Sequence, residues 1–256
     1  MRWTPGAYLK YADQRLRPAL DLLARVPLDS AERVTDLGCG PGSVVPPLAQ
    51  AFPGALITGV DSSPEMLAVA RETFGDAAAW VQADAAGWQP DAPQNLIFSN
   101  AALHWLDHHD ALFPRLMGCV APGGVLAVQM PNQYSAPSHT LMRAVAEDGP
   151  WAEILVPLLR PSPVASPDDY YGWLTPHAQT VDIWQTEYMQ IMTGDDPVLD
   201  WISSTALKPL TDALADGQRN AFTEALAYKL RTAYPQRADG TTLFPFRRLF
   251  IVALRA

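Results

Sequence analysis

The chain has 256 residues, of which 48% are hydrophobic, and its 18 basic and 27 acidic residues give a formal net charge of −9. This length and apolar content allow a full hydrophobic core and exclude an intrinsically disordered chain. The acidic balance argues against nucleic acid as a substrate or partner, because phosphate binding requires basic patches.

The N-terminal residues and the apolar stretches indicate the compartment. Residues 1–5 contain no apolar run of the kind that forms a signal peptide. The least polar long stretch, 112–131, is interrupted by prolines and glycines, which argues against a membrane span. The two cysteines do not make a disulfide framework. We therefore expect a cytoplasmic protein with no membrane partner.

Hydrophobic periodicity predicts elements that alternate between helix and strand. An opening helix is expected over about 14–25, where apolar residues recur at helical spacing. The alternation that follows predicts a doubly wound, Rossmann-like α/β sheet. Strands are expected near 33–37, 55–60, 79–83, 95–99 and 125–130.

After residue 131 the alternation becomes irregular. Residues 141–175 are rich in proline and aromatic residues, which predicts short helices and turns. A strand fits 180–184, with a neighbouring strand over 187–192, and the helical pattern returns over 197–234 before a last strand at 248–254. We expect a single domain, 1–256, whose sheet is covered at its carboxyl edge by a helical cap. The core comprises about 30–131 with strands near 180–192 and 247–254, and the cap comprises about 1–28, 137–176 and 197–235.

A glycine-rich loop follows the first predicted strand. Asp36 lies near the end of that strand, and Gly38, Gly40 and Gly42 come directly afterwards. Glycines let the backbone turn with positive φ and approach a ligand closely. The third glycine comes one residue earlier than in a dinucleotide fingerprint, and Asp36 would repel a phosphate but attract an ammonium group. The loop therefore indicates a nucleotide-type cofactor that carries a cationic group.

Polar side chains also end the later strands. Asp61 ends the second strand, where an acid is placed to accept both hydroxyls of a ribose. Ser62 and Glu65 then fit a capping box at the start of a helix. Asp84 closes the third strand and Asn100 the fourth. Because the carboxyl ends of parallel strands border one crevice, we expect these side chains to lie close together.

These motifs, in this order and at these spacings, resemble those of class I S-adenosylmethionine-dependent methyltransferases. The resemblance implies S-adenosyl-L-methionine as cofactor and S-adenosyl-L-homocysteine as its product. It also implies that the glycine loop passes the methionine part of the cofactor, that Asp61 binds the ribose and that Asp84 holds the adenine amino group. The candidate cofactor-binding residues are Asp36, Gly38, Gly40, Gly42, Asp61, Ser62, Ala83, Asp84, Ala85 and Asn100.

Segments outside these motifs narrow the resemblance to one group of small-molecule methyltransferases within the family. They run from Trp3 to Ala253 and so cover nearly the whole chain. They imply methyl transfer to a carboxylate of a small tricarboxylic acid, giving a monomethyl ester. Two alternatives stay open: another small-molecule or acyl-carrier carboxyl methyltransferase, and a non-enzymatic S-adenosylmethionine-binding module.

A carboxylate acceptor decides what the site residues must do. Such a group is already ionised at neutral pH, so no residue is required as a general base. Rate acceleration then comes mainly from orientation, which supplies on the order of 7–11 kcal/mol. We therefore look for clamps that hold carboxylates, and the planar fork of arginine matches a carboxylate in two parallel hydrogen bonds.

Candidate substrate-binding residues lie in three parts of the chain. Tyr8 and Arg15 belong to an N-terminal segment that methyltransferases of this family use as a lid. His104 and Trp105 follow the fourth strand, on the loop that normally borders the transferred methyl group. Arg248 opens the last strand. Each also has a structural interpretation: an exposed helix face for the first two, local packing for the next two and a surface ion pair for the arginine.

A histidine-rich stretch follows the fourth strand. His104, His108, His109 and Asp110 resemble a metal site by composition. The spacing offers no second group of ligands and the chemistry needs no metal, so we expect none. The sequence leaves the oligomeric state open.

Overall fold

The structure is a computed structural model, which describes the backbone from residue 12 to residue 256 and the side chains from residue 16. Its strands are β1 (Arg33–Leu37), β2 (Leu56–Asp61), β3 (Ala79–Gln82), β4 (Gln94–Asn100), β5 (Val120–Pro131), β6 (Ala178–Thr193) and β7 (Thr241–Arg255). Its α-helices are α1 (Ala12–Leu23), α2 (Val45–Ala51), α3 (Pro64–Phe74), α4 (His109–Cys119), α5 (Pro137–Glu147), α6 (Ala152–Leu155), α7 (Pro167–Leu174), α8 (Pro197–Ser203), α9 (Lys208–Asp212) and α10 (Asp216–Ala233).

The strands form one seven-stranded sheet in the order β3-β2-β1-β4-β5-β7-β6. Strands β1 to β5 pair in parallel with one another. The chain winds outward in one direction from β1 to β3 and in the other from β4 to β5, so the strand order reverses between β1 and β4, and β7 lies between β5 and β6. This arrangement confirms the doubly wound α/β fold, and ligands bind such sheets at the carboxyl ends of the strands beside the reversal.

The predicted elements recur with several differences in their bounds. The last strand, β7, begins at Thr241 and not at the predicted residue 248. The opening helix is described over Ala12–Leu23 instead of about 14–25. Strand β5 begins earlier than expected, at Val120, because a register shift between Gln94 and Leu96 accommodates an irregular stretch before Val125. The two neighbouring strands expected after residue 180 are one strand of 16 residues, β6.

The chain divides into two compact units. The first, called the sheet unit, comprises the described residues up to Pro131 together with 163–186 and 249–256. Its core packs the aromatic rings of Phe113 and Tyr170 with aliphatic side chains of the strands. The ring centroids of these two residues are 4.7 Å apart in a tilted arrangement. Helices α4 and α7 are thereby held together by aromatic packing.

The second unit comprises 132–162 and 187–248. Its helices pack through buried aromatic residues, for example Trp151 against Phe222 with ring centroids 5.3 Å apart. Arg231 donates two hydrogen bonds to Asp196, at 2.7 and 2.6 Å, and so joins α10 to the residue preceding α8. The single-domain arrangement with the cap over the sheet edge stays a prediction. Among the described residues, no helix is both long and apolar enough to span a bilayer.

Candidate functional site

The carboxyl ends of β1 and β4 lie side by side at the reversal of the sheet. Asp36 pairs in register with Phe98, and the Ser99 hydroxyl donates a hydrogen bond of 2.7 Å to the Leu37 carbonyl. A Cβ atom added to Gly38 would lie 2.1 Å from the Cβ of Ala102. The glycine loop and the loop after β4 therefore approach each other so closely that only glycine fits at position 38.

The glycine loop uses positive φ at all three glycines, with values of +80° for Gly38, +55° for Gly40 and +84° for Gly42. A Cβ on Gly42 would lie 2.7 Å from the Trp80 ring, whereas a Cβ on Gly40 would meet no atom within 4 Å. Gly40 thus differs from its two neighbours, because a Cβ there would meet open space and no protein atom.

Trp80 of β3 also closes the space beside Gly59, its register partner on β2. A Cβ on Gly59 would lie 2.6 Å from the indole ring. The indole N–H donates a hydrogen bond of 2.8 Å to the Gly75 carbonyl, which fixes the ring in place. The Trp80 ring therefore packs against the glycine loop at Gly42. Nothing in its sequence position indicated this role.

Asp61 at the end of β2 holds the glycine loop in its conformation. Its carboxylate accepts a hydrogen bond from the Gly40 N–H and another from the Ser63 N–H, both 2.8 Å long. Each carboxylate oxygen has a further lone pair, so the half-buried group can still accept ribose hydroxyls. The geometry is compatible with the predicted binding of the ribose. It also gives Asp61 a structural role, because its carboxylate holds the backbone of Gly40.

The start of α3 corrects the predicted capping box. The N-cap is Ser63, whose hydroxyl accepts a hydrogen bond of 3.2 Å from the Met66 N–H. Pro64 occupies the first helical position, which makes the residue directly before it the cap. Glu65 accepts a hydrogen bond of 2.9 Å from the Ser63 hydroxyl. Ser62 is exposed and lies one residue before the cap.

Asp36 and Asn100 present buried oxygen atoms at this edge of the sheet. Within the described part of the chain, neither Asp36 Oδ2 nor Asn100 Oδ1 has a hydrogen-bond partner. Burial, followed by repulsion from Asp61, raises the pKa of Asp36 from 3.8 to about 7. A buried carboxylate of this kind is stabilised by a cationic group that donates hydrogen bonds. The ammonium group of S-adenosylmethionine has this chemistry, so the residues present fit the cofactor.

The third strand ends in a short turn that is tied to the second. The Ala83 N–H donates a hydrogen bond of 3.1 Å to the Asp61 carbonyl, and the exposed Asp84 accepts one of 2.9 Å from the Ala86 N–H. Ala83 and Ala85 pack at the margin of the core. Arg115 donates a hydrogen bond of 2.7 Å to the Ala85 carbonyl, which fixes the turn.

The loop after β4 is strained at both ends. Ala101 has a φ of +54° and His108 a φ of +57°, values that cost free energy for residues other than glycine. Between them, a 3₁₀ turn over Leu103–Trp105 carries His104 and Trp105, whose ring centroids are 4.7 Å apart. Both side chains are half-buried. Such strain at a loop beside a ligand crevice is typical of a functional segment.

The histidine-rich stretch does not assemble as a metal cluster. His109 is buried, and both of its ring nitrogens lie within hydrogen-bond distance of protein atoms, at 2.6 Å from the Tyr170 hydroxyl and 3.0 Å from the Leu103 carbonyl. Over the residues that the structure describes, no three His, Cys, Asp or Glu side chains are grouped to hold a metal ion.

Two adjacent arginines of β7 point to opposite faces of the strand. Arg248 is only 2% exposed, and its guanidinium carbon lies 4.7 Å from the centroid of the Phe246 ring. Arg247 is exposed, with its guanidinium 3.7 Å from the Glu187 carboxylate. The surface-pair interpretation therefore applies to Arg247, whereas Arg248 is a buried cation packed on an aromatic ring.

The second unit has a cavity of its own, with a volume of about 500 Å³. Arg247, Arg237, Glu187 and Tyr234 contribute to its lining, and no residue predicted for cofactor or substrate binding does so. Tyr8 and the side chain of Arg15 lie outside the described residues, so their predicted substrate contacts stay predictions.

Comparison with protein families finds a match to the methyltransferase domain family over residues 34–124. This segment begins in β1 and ends in β5, so it contains the glycine loop and the carboxyl ends of β1 to β4.

Curated relatives match nearly the entire chain. The trans-aconitate 2-methyltransferase of Azoarcus sp. (strain BH72) is 47% identical over 99% of this chain and 99% of its own. The enzyme of the same name from Streptomyces coelicolor is 46% identical over 98% of this chain and 86% of its own.

Solved structures with lower identity share the fold. Phosphoethanolamine N-methyltransferase 2 of Haemonchus contortus, in complex with S-adenosyl-L-methionine, superposes with a TM-score of 0.55 at 17% identity. The match covers 94% of this chain and 53% of that longer one. A putative sarcosine dimethylglycine methyltransferase from Galdieria sulphuraria gives a TM-score of 0.54 at 14% identity, with 93% and 85% covered.

Proposed function

Because the chain belongs to the trans-aconitate 2-methyltransferase family, we propose that it transfers the methyl group of S-adenosylmethionine to a carboxylate of trans-aconitate, giving a monomethyl ester. The observation that carries the substrate is the 47% identity over 99% of both chains, because it extends far beyond the cofactor motifs. The resemblance recognised from the sequence is confirmed, and so is S-adenosylmethionine as the cofactor.

The proposed cofactor site consists of the carboxyl ends of β1 to β4. Asp36 accepts hydrogen bonds from the cofactor's ammonium group, and its buried Oδ2 supports this role. Asp61 binds the ribose hydroxyls while its carboxylate holds Gly40 in place. Asp84 binds the adenine amino group, between Ala83 and Ala85.

The remaining cofactor contacts are proposed to come from backbone and amide groups. Gly38, Gly40 and Gly42 border the methionine part of the cofactor, and the open space at the Gly40 α-carbon supports this assignment. Ser62 lies beside the ribose position, next to Asp61. The buried Asn100 Oδ1 accepts a hydrogen bond at the reversal of the sheet.

The bound cofactor supplies an activated methyl group on a sulfonium. The chain's task is then to hold the ionised substrate carboxylate in line with that methyl group, since no proton has to be removed. Restricting two partners to a reactive geometry accounts for a contribution on the order of 7–11 kcal/mol. The proposal therefore requires carboxylate clamps and requires no general base.

Arg248 is the proposed clamp for which the structure offers most support. A guanidinium whose face packs on an aromatic ring presents its N–H groups at its edge, in the geometry that carboxylates bind. His104 and Trp105 are proposed to border the reacting groups on the strained loop after β4. Tyr8 and Arg15 complete the proposed set from the N-terminal segment.

The test is a product assay with defined acceptors. The purified protein is incubated with S-adenosylmethionine and, separately, with trans-aconitate, cis-aconitate, citrate and a malonyl-loaded acyl carrier protein. We expect S-adenosylhomocysteine and a monomethyl ester to form fastest with trans-aconitate, and mass spectrometry identifies the ester.

Other outcomes would assign another function. Product with the acyl carrier but none with trans-aconitate would indicate a carrier-dependent methyltransferase. Cofactor binding without methylation of any acceptor would favour a non-enzymatic S-adenosylmethionine-binding module. A cytoplasmic location is part of the proposal, because a free polycarboxylate substrate has to be present in the same compartment as S-adenosylmethionine.

A further inference from the structure

His109 and Tyr170 form a buried hydrogen-bonded pair that joins segments far apart in the sequence. The His109 Nδ1 atom lies 2.6 Å from the Tyr170 hydroxyl, and His109 Nε2 lies 3.0 Å from the Leu103 carbonyl oxygen. The Ala165 N–H donates a further hydrogen bond of 3.2 Å to the Tyr170 hydroxyl. The pair thus links the 3₁₀ turn after β4 to the beginning of α4 and to α7.

The chemistry of the partners fixes the direction of every hydrogen bond. A carbonyl oxygen only accepts, so His109 Nε2 carries the proton that is donated to Leu103. Nδ1 of the neutral ring is then a bare acceptor, and Tyr170 donates its hydroxyl proton to it while accepting from Ala165. Burial lowers the pKa of His109 and raises the pKa of Tyr170, so both side chains keep these protonation states at neutral pH.

The loop over residues 101–108, which this pair links to α7, has a strained backbone that contacts with other segments must hold in place. Its ends, Ala101 and His108, have φ values of +54° and +57°, and the helix that follows has no side-chain cap at His108. The Ala101 N–H donates a hydrogen bond of 2.9 Å to the Gln129 carbonyl, which holds the loop at its beginning. The His109–Tyr170 pair holds the middle of the loop through Leu103, the residue directly before His104.

We propose that His109 and Tyr170 are positioning residues, which hold the 3₁₀ turn so that His104 and Trp105 border the transferred methyl group in a fixed orientation. This inference rests on the proposed function for its catalytic consequence. The predicted structural effect on the loop is independent of that function.

Tyr170→Phe is the main test variant. It removes the hydroxyl and keeps the ring, which packs on Phe113 and Trp173 with centroids 4.7 and 5.2 Å apart. The matched control is Tyr171→Phe, the neighbouring tyrosine of the same helix, whose ring is exposed. We expect Tyr170→Phe to lower kcat about tenfold, the scale of one buried hydrogen bond, with little change in cofactor Kd. The control should keep wild-type kcat.

A second variant tests the other half of the pair. His109→Gln retains an amide N–H that can reach the Leu103 carbonyl, but it cannot also accept from Tyr170 in the same geometry. Its effect on kcat should not add to that of Tyr170→Phe, because both variants break the same link. Additive losses, or a loss in kcat matched by an equal loss in cofactor affinity, would show only general destabilisation and overturn the proposal.

Amide hydrogen exchange gives a readout that does not depend on catalysis. In Tyr170→Phe, the amides of residues 101–106 should exchange faster than in the wild type, while those of β1 and β2 keep their protection. If wild-type protein fails to methylate trans-aconitate but the loop exchanges faster in the variant, the positioning role stands and the proposed function fails. Unchanged exchange in the loop would overturn the positioning role itself.

Discussion

Asp36 is a buried acid in the structure whose ionisation costs free energy in the absence of a cation. Burial and the nearby Asp61 carboxylate both favour its protonated form, which places its pKa at about 7. A cationic ligand reverses this preference, since the ionised carboxylate then gains a charge-assisted hydrogen bond. Proton release and cofactor binding are therefore coupled at this one residue.

The first prediction follows from that coupling. Cofactor affinity should fall about tenfold between about pH 7.5 and about pH 6, because below pH 7 a proton must leave Asp36 before the cofactor binds. Asp36→Asn should bind the cofactor about tenfold to a hundredfold more weakly and lose this pH dependence. Isothermal titration calorimetry with S-adenosylmethionine across this pH range measures both effects.

The control for Asp36→Asn is Asp91→Asn, which makes the same substitution at an exposed aspartate. This variant should retain wild-type affinity and the wild-type pH profile. An Asp36→Asn protein with the full pH dependence would exclude Asp36 as the titrating group.

The second prediction concerns the pair Arg248 and Arg247. Arg248→Lys should raise KM for trans-aconitate about tenfold, and Arg248→Gln should raise it further, because the bidentate fork and then the charge are lost. Arg247→Gln should change KM less than about twofold, since its ion pair with Glu187 is exposed and separated by 3.7 Å. Steady-state kinetics with saturating cofactor measure the difference.

Two results would contradict the role of Arg248. Equal effects of substitutions at both arginines would remove the distinction between the two faces of the strand. A parallel loss of cofactor affinity in Arg248→Lys would indicate that the residue acts through folding.

At the scale of one loop, different physical constraints act on the three glycines after β1. Gly38 lies against Ala102 and Gly42 lies against the Trp80 ring, so packing with protein atoms excludes a side chain at both. Gly40 has open space at its α-carbon, so substitution there tests for a ligand in that space without a clash with the protein.

The third prediction compares Gly40→Ala with Gly54→Ala. Both glycines have positive φ, +55° and +84°, and neither has an atom within 4 Å of an added Cβ. Each substitution should cost about 1–2 kcal/mol of folding free energy because of the backbone strain. Only Gly40→Ala should also weaken cofactor binding, by about tenfold or more, as measured by calorimetry alongside urea unfolding. Similar cofactor affinity in the two variants would place the cofactor away from Gly40.

Local signals in the sequence predicted the elements that end on a distinctive residue. Strands β1 to β4 are short apolar runs closed by polar residues, and the structure places their ends within two residues of the predicted bounds. The capping residue of α3 was predicted one position too early. The sequence places Pro64 in the first turn of the helix but does not fix which position of that turn it occupies. The face of β7 on which each arginine lies also escaped prediction, because that choice depends on the register of the strand.

Contacts between distant segments could not be read from the sequence. Residues 109 and 170 are separated by 61 positions and belong to helices whose packing depends on the whole sheet unit. Trp80 looked like an ordinary strand residue, although its ring fills the space left by two glycines. The candidate cofactor residues were found because they follow a family motif, whereas their supporting residues do not.

At the scale of the molecule, an overall charge of −9 opposes the approach of a polycarboxylate. Exposed charges farther away than about 8 Å are largely screened at physiological ionic strength, so local cations decide whether the substrate binds. The buried carboxylate of Asp36 has a different effect on the whole chain, because its raised pKa influences folding stability.

The fourth prediction is a change in the stability of the cofactor-free chain with pH. The pKa of Asp36 is about 7 in the folded state, against an ordinary value of 3.8 for an aspartate in the unfolded chain, so the folded state binds more protons between these values. The contribution of Asp36 to the free energy of unfolding must therefore fall as pH rises from about 4 to about 7. Asp36→Asn should gain stability relative to the wild type over the same range, as measured by urea unfolding at several pH values.

Saturating S-adenosylmethionine provides the internal comparison for this fourth prediction. It should reduce the stability difference between wild type and variant near neutral pH, because the cofactor binds the ionised wild-type residue more tightly. A stability difference that stays constant across the pH range, with or without cofactor, would exclude Asp36 as its origin.

The contact between Gly59 and Trp80 restricts how sequences of this kind can change. The two residues are register partners on adjacent strands, and a Cβ on Gly59 would lie 2.6 Å from the indole. Enlarging position 59 is tolerable only once position 80 has become smaller, so the order of substitutions matters. A library that randomises both positions should yield functional clones in which position 59 is larger than glycine only where position 80 is smaller than tryptophan, and enlargement of position 59 alone should be rare.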